Sequence, residues 1–163
     1  MKLINLENKD IDLFININQD AFQNGFEAYY GPTKEIIIPR EDILGSLNAK
    51  GSNAFLAYEN NEAVGGVCVV INDETNINEL HLLFVKPGIQ SKGIGFAIWN
   101  KIEKMYPNTK IWKTCTPYFD KRNIHFYVNK CKFHIVEFLL EQEEGFNGDA
   151  GQGMFEFEKV MNN

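Results

Sequence analysis

The stretch VKPGIQSKGIGFAIWNKIEKM, residues 85–105, decides the fold of this 163-residue chain. Its second half carries apolar residues at helical spacing, namely Ile98, Trp99, Ile102 and Met105, and Pro107 follows as a stop. This pattern predicts an amphipathic helix. Gly93 and Gly95 stand at its start, although a glycine inside a helix costs about 1 kcal/mol. We infer that the backbone at this point must come close to a partner.

The chemistry of that partner follows from the position of the two glycines. A strand is predicted to end at Val85, and a loop then leads to a helix that begins near residues 92–95. Backbone N–H groups that no side chain obstructs, at the positive end of a helix dipole, bind phosphate. Lys92 adds a mobile cation. The segment therefore predicts a site for a phosphate or a pyrophosphate.

Around this segment the chain predicts a strand, two helices, three strands, the glycine-led helix, a strand, a short helix and two strands. The predicted strands are residues 1–6, 53–59, 62–71, 78–85, 110–116, 133–140 and 154–160. Asp10, Pro39 and Asp120 are expected to open the first, second and short helices. Residues 24–35, NGFEAYYGPTKE, follow the first helix and show no clear periodicity. The order predicts a mixed α/β sheet with helices on both faces, not a regular doubly wound unit.

The strand NELHLLFV, residues 78–85, has a regular alternation that assigns its side chains to two faces. Alternation places Glu79, His81, Leu83 and Val85 on one face, with Leu80, Leu82 and Phe84 on the other.

Composition and charge limit the classes of function. The chain is 44% hydrophobic and 23% charged, with a net charge of −6. Broad nucleic-acid binding depends on clustered Lys and Arg, so this balance argues against it and favours cationic partners. The longest apolar run, residues 63–71, is about half of what a membrane-spanning helix needs, which argues against a membrane partner. Three scattered cysteines without metal-ligand spacing predict a reduced, cytoplasmic protein with no metal site.

Two familiar phosphate loops do not fit the glycine segment. Gly88 and Gly93 have the Walker spacing, but Ile94 and Gly95 stand where Lys and Ser or Thr should follow. A dinucleotide fingerprint would need a third glycine at the position of Ile98. The pattern that does fit is Q/R-x-x-G-x-G/A, which matches QSKGIG at residues 90–95.

With the apolar strand end and KPG turn before it, and RNIHFYVNKCKFHIVE (residues 122–137) after it, this segment resembles the GNAT superfamily of acyl-CoA-dependent N-acetyltransferases. The resemblance spans nearly the whole chain and is strongest over residues 79–137. It implies one GNAT acetyltransferase domain, residues 1–163, with a central, mostly antiparallel sheet of about seven strands. It also implies acetyl-CoA as the acyl donor.

The resemblance carries a set of cofactor contacts onto this sequence. The strand end Leu83, Phe84 and Val85 would pair with the pantetheine arm through its backbone. Asn123 matches an asparagine that contacts the same arm. The pyrophosphate would lie on Gln90, Ser91, Lys92, Gly93, Ile94, Gly95 and Phe96. Two alternatives stay open, since Gly93 and Gly95 could simply allow close packing of the helix on the sheet and Asn123 could cap its helix.

The family transfers the acetyl group by direct attack of an amine, and two residues are candidates for the chemistry. Tyr127 would protonate the departing sulfur, because the family places a tyrosine on this helix. Glu79 would accept the proton of the amine, with His81 or ordered water as alternatives. The sequence departs from the family pattern around Tyr127 in two ways. Lys132 replaces the usual glycine before Phe133, and Tyr127 lies six residues before Phe133 instead of five. Core packing of Tyr127 and a plain surface role for Glu79 are the competing explanations.

In the family, the acceptor amine approaches between the first helices and the last strands. Here those segments are NGFEAYYGP, with Phe26, Tyr29 and Tyr30, and EQEEGFNGDAGQG, with Glu141, Glu143, Glu144 and Asp149. Aromatic faces and carboxylates favour a cationic acceptor, either a small molecule or a peptide. Two rival functions remain: an acyl-CoA-binding sensor without turnover, and a binding protein for another anion such as a nucleotide. An exposed edge at the last strands would allow a homodimer.

Overall fold

The computed structural model describes residues 1–90, 92–140 and 153–162, in which seven strands form a single mixed sheet. The strands are β1 Lys2–Asn5, β2 Ser52–Glu59, β3 Glu62–Val70, β4 Ile77–Val85, β5 Ile111–Pro117, β6 His134–Leu139 and β7 Met154–Val160. Their order across the sheet is β1-β2-β3-β4-β5-β7-β6, and every neighbouring pair is antiparallel except β4 and β5. The predicted fold class is confirmed.

The helices lie on both faces of the sheet. They are α1 Ile11–Tyr30, α2 Arg40–Asn48, α3 Ile94–Met105 and α4 Lys121–His125, which continues as a π-helical segment over Phe126–Lys130. Among the described residues, none of these helices combines the length and apolarity needed to span a bilayer. Pro107 lies just beyond α3, as predicted.

Helix α1 is longer than its sequence pattern predicts. It runs through Gly25 to Tyr30, so most of the segment without clear periodicity is helical. The rings of Phe26 and Tyr30 pack on Phe119, at centroid distances of 5.7 and 5.0 Å, in the loop that precedes α4. This tertiary packing offsets the cost of a glycine within the helix, which no local pattern reveals.

Two hydrophobic clusters, one on each face, anchor the helices to the sheet. Helices α1 and α2 bury Phe14, Ile15 and Ile43 against Leu56 and Phe84, and the rings of Phe14 and Phe84 meet edge to face at 4.8 Å. The second cluster, on the other face, contains residues from α3, β5, β7 and the end of the π-helical segment. Its largest fully buried members are Trp99, Trp112, Phe133 and Phe157.

A bulge in β4 changes which residues share a face. Cys68 pairs with Leu82 while Val69 pairs with Leu80, so His81 is an extra residue in the ladder. Leu80 therefore packs in the α3-side cluster, whereas Leu82 lies in the α1-side cluster.

The alternation predicted for this strand is consequently confirmed from Leu82 to Val85 and wrong for Glu79 and Leu80. Glu79 pairs with Val70 and Lys113, which places its side chain on the α1 side of the sheet. Leu83 and Val85 pack against the α3-side cluster, on the opposite face.

The π-helical segment accommodates the extra residue between Tyr127 and Phe133. The N–H of Cys131, which directly follows the segment, donates to the carbonyl of Phe126, five residues earlier, at 3.0 Å. Tyr127 and Phe133 consequently both lie in the α3-side cluster, with ring centroids 5.7 Å apart. The turn closes at Lys132, which has a φ of 67° at the position where the resemblance expects glycine.

We predict that Lys132→Gly raises the free energy of unfolding by about 1 kcal/mol, because a left-handed backbone penalises a side chain but not glycine. Urea denaturation measures the change. Lys130→Gly is the matched control, since Lys130 is exposed two residues earlier within the helical segment. There glycine should destabilise the protein by about the same amount. A loss of stability in both variants would contradict the prediction.

Candidate functional site

The sheet opens between β4 and β5. In these parallel strands only Ile77–Glu79 pairs with Ile111–Lys113. Beyond these residues, toward their C-terminal ends, the strands separate. The upper part of β4 stays paired with β3 on one side, including Leu83, Phe84 and Val85. On its other side no strand of the described residues pairs with it. We call this opening, which begins at Leu80 and Thr114 and extends toward the C-terminal ends of the two strands, the fork.

The loop after β4 is shaped by the side chain of Gln90. Its Oε1 accepts from the N–H of Gly88 at 2.9 Å, and its Nε2 donates to the carbonyl of Val85 at 3.2 Å. The Gln90 side chain is thus used within the loop, and it ties the top of β4 to the approach of α3. Lys92 is exposed at the end of this loop, and Ser91 lies outside the described residues.

The geometry at the two motif glycines does not support the packing explanation. A Cβ atom at Gly93 would meet no heavy atom within 4 Å, and one at Gly95 would meet Phe126 and Val85 at an ordinary 3.5 Å. Gly93 precedes α3 with a φ of 79°, which accounts for glycine there. Neither conformation nor packing accounts for Gly95.

Helix α3 begins directly after this loop, with open space at the Cβ position of its N-cap, Gly93. The first N–H groups of a helix have no partner within it, and here they belong to residues 93–96. Ile94 is buried below them, whereas Phe96 is 39% exposed. Backbone donors, a helix dipole and the nearby Lys92 together suit an anionic ligand.

Tyr127 lies at the base of the fork on the α3 side. It is 5% exposed and its ring contacts those of Phe133 and Phe157, and Phe157 pairs with Thr114 of β5. Burial raises the pKa of the Tyr127 phenol well above its usual range. The phenol is therefore a hydrogen-bond donor at any physiological pH.

Glu79 lies at the same level of the sheet on the other face, in the last residue pair before the fork. Its Oε2 accepts from His81 Nε2 at 2.9 Å. This bond, with the charges of His81 and Lys113, holds the pKa of Glu79 below its usual value against a smaller opposing effect of burial. The carboxylate is 54% exposed and ionised at neutral pH.

Beyond Glu79 the same face is polar along β5 and β7, and Lys113 and Cys115 are exposed there. Lys113 pairs with Glu158 at 3.1 Å, and Cys115 lies opposite Glu156. Although Cys115 is reached by solvent, desolvation of its sulfur raises the pKa of the thiol, and the Glu156 and Glu79 carboxylates raise it further. The sequence was interpreted as having three reduced, buried thiols, but Cys115 is exposed, and the alternation of β5 already places it on the face of Lys113.

Asn123 does not cap its helix. The cap is Asp120, as the sequence predicts, because its Oδ1 accepts from the N–H of Asn123 at 2.9 Å. Burial raises the pKa of the Asp120 carboxyl. The Asn123 side chain instead donates to Thr116 Oγ1 at 3.4 Å, so it ties α4 to the top of β5.

Aromatic residues of α1 contact the loop and the start of α4, which follow β5. Arg122 N donates to the Tyr29 hydroxyl at 3.2 Å. The ring of Phe119 contacts the rings of both Tyr29 and Tyr30. Of the second predicted acceptor segment, residues 141–152 lie outside the described residues. Within the part of the chain that is described, no His, Cys, Asp and Glu side chains gather in a group that could hold a metal ion.

Comparison with known proteins agrees with this architecture. The model of the acetyltransferase (GNAT) family matches residues 12–133. The chain is 44% identical to the protein YrkN of Bacillus subtilis (strain 168) over 133 residues, which are 81% of this chain and 72% of YrkN.

Solved structures resemble the chain in fold. Spermidine N-acetyltransferase from Vibrio cholerae, in complex with CoA and spermine, matches with a TM-score of 0.70 and 18% identity, over 98% of this chain and 94% of that one. PaiA N-acetyltransferase from Thermoplasma acidophilum, in complex with coenzyme A, matches with a TM-score of 0.68 and 19% identity, over 99% and 100%.

We predict that His81→Asn raises the pKa of Glu79, because the His81 hydrogen bond is the main cause of its depression. Stability contributed by this carboxylate is present above its unfolded-state pKa and is lost as pH falls through the folded value. NMR titration of the Glu79 carboxyl carbon measures the shift. Lys113→Met is the control and should move this pKa less. A Glu79 pKa that is unchanged in His81→Asn would contradict the assignment.

Proposed function

Because the chain belongs to the acetyltransferase (GNAT) family, we propose that it moves the acetyl group of acetyl-CoA to a primary amine by direct nucleophilic attack. One observation carries the proposal. At the level where β4 and β5 part, a buried phenol lies on one side of the sheet and an ionised carboxylate on the other. The whole chain, residues 1–163, would act as one domain.

Acetyl-CoA fits the fork and the loop above it. Its diphosphate would lie on the N–H groups of residues 93–96, with Lys92 as a counter-charge. Its pantetheine amides would pair with the free edge of β4 at Leu83–Val85, as an added strand does. Val85 contributes chiefly through its N–H, because its carbonyl already accepts from Gln90. Asn123 lies on the opposite arm of the fork, where it would contact the same arm of the cofactor.

The transfer then needs few protein groups. The amine nitrogen attacks the thioester carbon, a C–N bond forms, and the C–S bond breaks with its electron pair on sulfur. Tyr127 donates its proton to that sulfur, and the proton lost by the amine restores the phenol through solvent. Much of the remaining acceleration comes from holding the reactants together.

On the other face, Glu79 would orient the acceptor. Because its pKa is lowered, Glu79 is a weak base that keeps its negative charge and would attract an ammonium group. It would receive the proton of that group through water. His81 shares the same hydrogen bond and is the second candidate for this proton. The nearby Glu156 and the aromatic residues of α1 favour a cationic acceptor over an anionic one. Polyamines such as spermine, found in the Vibrio cholerae structure, therefore come first among candidates.

The alternative is an acyl-CoA-binding sensor with the same fold and no turnover. Burial of the Tyr127 side chain is the observation in its favour, because a catalytic acid must reach the sulfur.

A panel of polyamines, amino acids, amino sugars and peptide N-termini, each with acetyl-CoA and with thiol release as the readout, tests the function. We expect turnover with at least one cationic amine and a loss of about 100-fold in kcat for Tyr127→Phe. Tyr58→Phe, on β2, is the matched control and should keep its kcat. Acetyl-CoA binding without thiol release from any amine would favour the sensor, and preferential binding of ATP would exclude both.

We predict that Gly93→Asp weakens CoA binding by about 100-fold, because a carboxylate would occupy the space where the diphosphate lies. Isothermal titration calorimetry measures the affinity. Gly31→Asp is the control for backbone conformation, since Gly31 also has a positive φ, of 81°, with open space at its Cβ position. Gly95→Ala should bind CoA normally, because the family pattern allows alanine there. Unchanged affinity in Gly93→Asp would place the cofactor elsewhere.

A further inference from the structure

Helix α1 crosses the fork on the side of the sheet that carries Glu79. Near the start of the helix, the ring of Phe14 packs on Phe84 of β4, at a centroid distance of 4.8 Å. At its end, Tyr30 packs at 5.0 Å on Phe119, which lies two residues beyond the last residue of β5. The middle of α1 therefore spans the distance between the two strands that form the fork.

The residues that α1 turns toward the sheet become small beyond Phe14. Successive residues of an α-helix are rotated by about 100°, so Asn18, Ala21 and Gly25 lie within roughly 40° of the direction of Phe14. We call these three residues the α1 stripe. A Cβ atom at Gly25 would meet no heavy atom within 4 Å, and Gly25 has no positive φ. Neither packing nor conformation thus explains a glycine that weakens the helix.

Asn18 is the polar member of the α1 stripe, and its side chain lacks hydrogen-bond partners. The residue is 0% exposed, and neither Oδ1 nor Nδ2 has a partner among the described residues. In contrast, Gln19 donates to the carbonyl of Ile38 at 3.0 Å, and Gln23 accepts from the N–H of Ile37 at 3.2 Å. A buried amide without hydrogen bonds costs free energy, so its retention calls for a use. Because Asn18 has no hydrogen bond to lose, its side chain can turn toward a ligand at little cost.

The sheet opposite the α1 stripe offers charge and access. Lys113 and Cys115 of β5 are exposed on this face, and the Glu79 carboxylate is ionised there. The charge of Lys113 is paired with Glu158. An ammonium group that enters between α1 and this face would meet the carboxylate on the sheet and the Asn18 oxygen on the helix.

We propose that the α1 stripe is a subsite for the acceptor amine, with Asn18 as a specificity-determining residue that binds the acceptor through its side-chain amide. The proposal rests on the transferase function above. Ala21 and Gly25 leave room for a narrow, unbranched aliphatic chain, and Asn18 Oδ1 accepts from the N–H of the primary amine at its end. Asn18 itself neither gains nor loses a proton.

Hexylamine and cyclohexylamine, primary amines with equal numbers of carbon atoms, test the shape of the subsite. We expect kcat/KM to be about tenfold higher for hexylamine, and Gly25→Leu to lower that value about tenfold. KM for acetyl-CoA should change by less than about twofold. Gly45→Leu is the matched control, since Gly45 is a glycine of α2 that also has open space at its Cβ position. Both variants should melt no lower than the original protein, because leucine favours a helix more than glycine does.

Asn18→Leu tests the amide. Leucine is close to asparagine in size and shape, so the loss of an unpaired buried amide should leave the melting temperature unchanged or higher. We expect KM for hexylamine to rise about tenfold, with KM for acetyl-CoA within about twofold of the original. An unchanged KM for hexylamine in Asn18→Leu overturns the proposal. Equal values of kcat/KM in Gly25→Leu and Gly45→Leu overturn it too.

A second measurement does not depend on turnover. In protein labelled with ¹⁵N, the side-chain amide signal of Asn18 is assigned through its own backbone. We expect hexylamine, with or without saturating CoA, to shift this signal, and cyclohexylamine to shift it much less. A signal that hexylamine leaves unmoved overturns the subsite whatever the enzyme assays give. A shifted signal in a protein that acetylates no amine supports the subsite and counts against the transferase function alone.

Discussion

The parting of β4 and β5 after the Glu79–Lys113 pair is the constraint on which the rest of the structure depends. A strand that loses its neighbour exposes N–H and C=O groups that need partners. Thr114 satisfies the first carbonyl, that of Leu80, and the Gln90 side chain satisfies that of Val85. Between these two carbonyls, the unpaired edge of β4 suits a ligand that carries amide groups. Under the proposed function, an edge that would otherwise invite aggregation would hold an extended cofactor.

The fork also explains why the two candidate catalytic groups differ in environment. Tyr127 lies under α3 and the aromatic cluster, where burial keeps its phenol protonated. Glu79 lies on the face that the helices leave uncovered along β5 and β7, where His81 keeps it ionised. A thioester placed in the fork would meet a proton donor on one side and a negative charge on the other. Acyl transfer to an amine needs this division, because the leaving sulfur gains a proton while the incoming nitrogen loses one.

Sequence patterns predicted the elements well and the local irregularities poorly. The strand at residues 154–160 was predicted at both ends, because turn residues and alternation mark it locally. The length of α1 depends on contacts with Phe119, almost a hundred residues away, so no window of sequence contains it. The bulge at His81 arises from the register between β3 and β4, which alternation within one strand does not specify. The motif of residues 90–95 was found because its glycines conflict with the helix that follows.

The π-helical segment shows how strongly the direction of Tyr127 is constrained. Each extra residue in an α-helix turns the following side chains by about 100°, so the longer spacing to Phe133 would point Tyr127 away from β5. The wide turn closed between Phe126 and Cys131 absorbs that residue and keeps Tyr127 against Phe157, which pairs with Thr114 of β5. The turn then leaves Lys132 in a left-handed conformation that disfavours its side chain. Local strain of this kind persists where the surrounding structure determines the geometry, and here it preserves the phenol at the base of the fork.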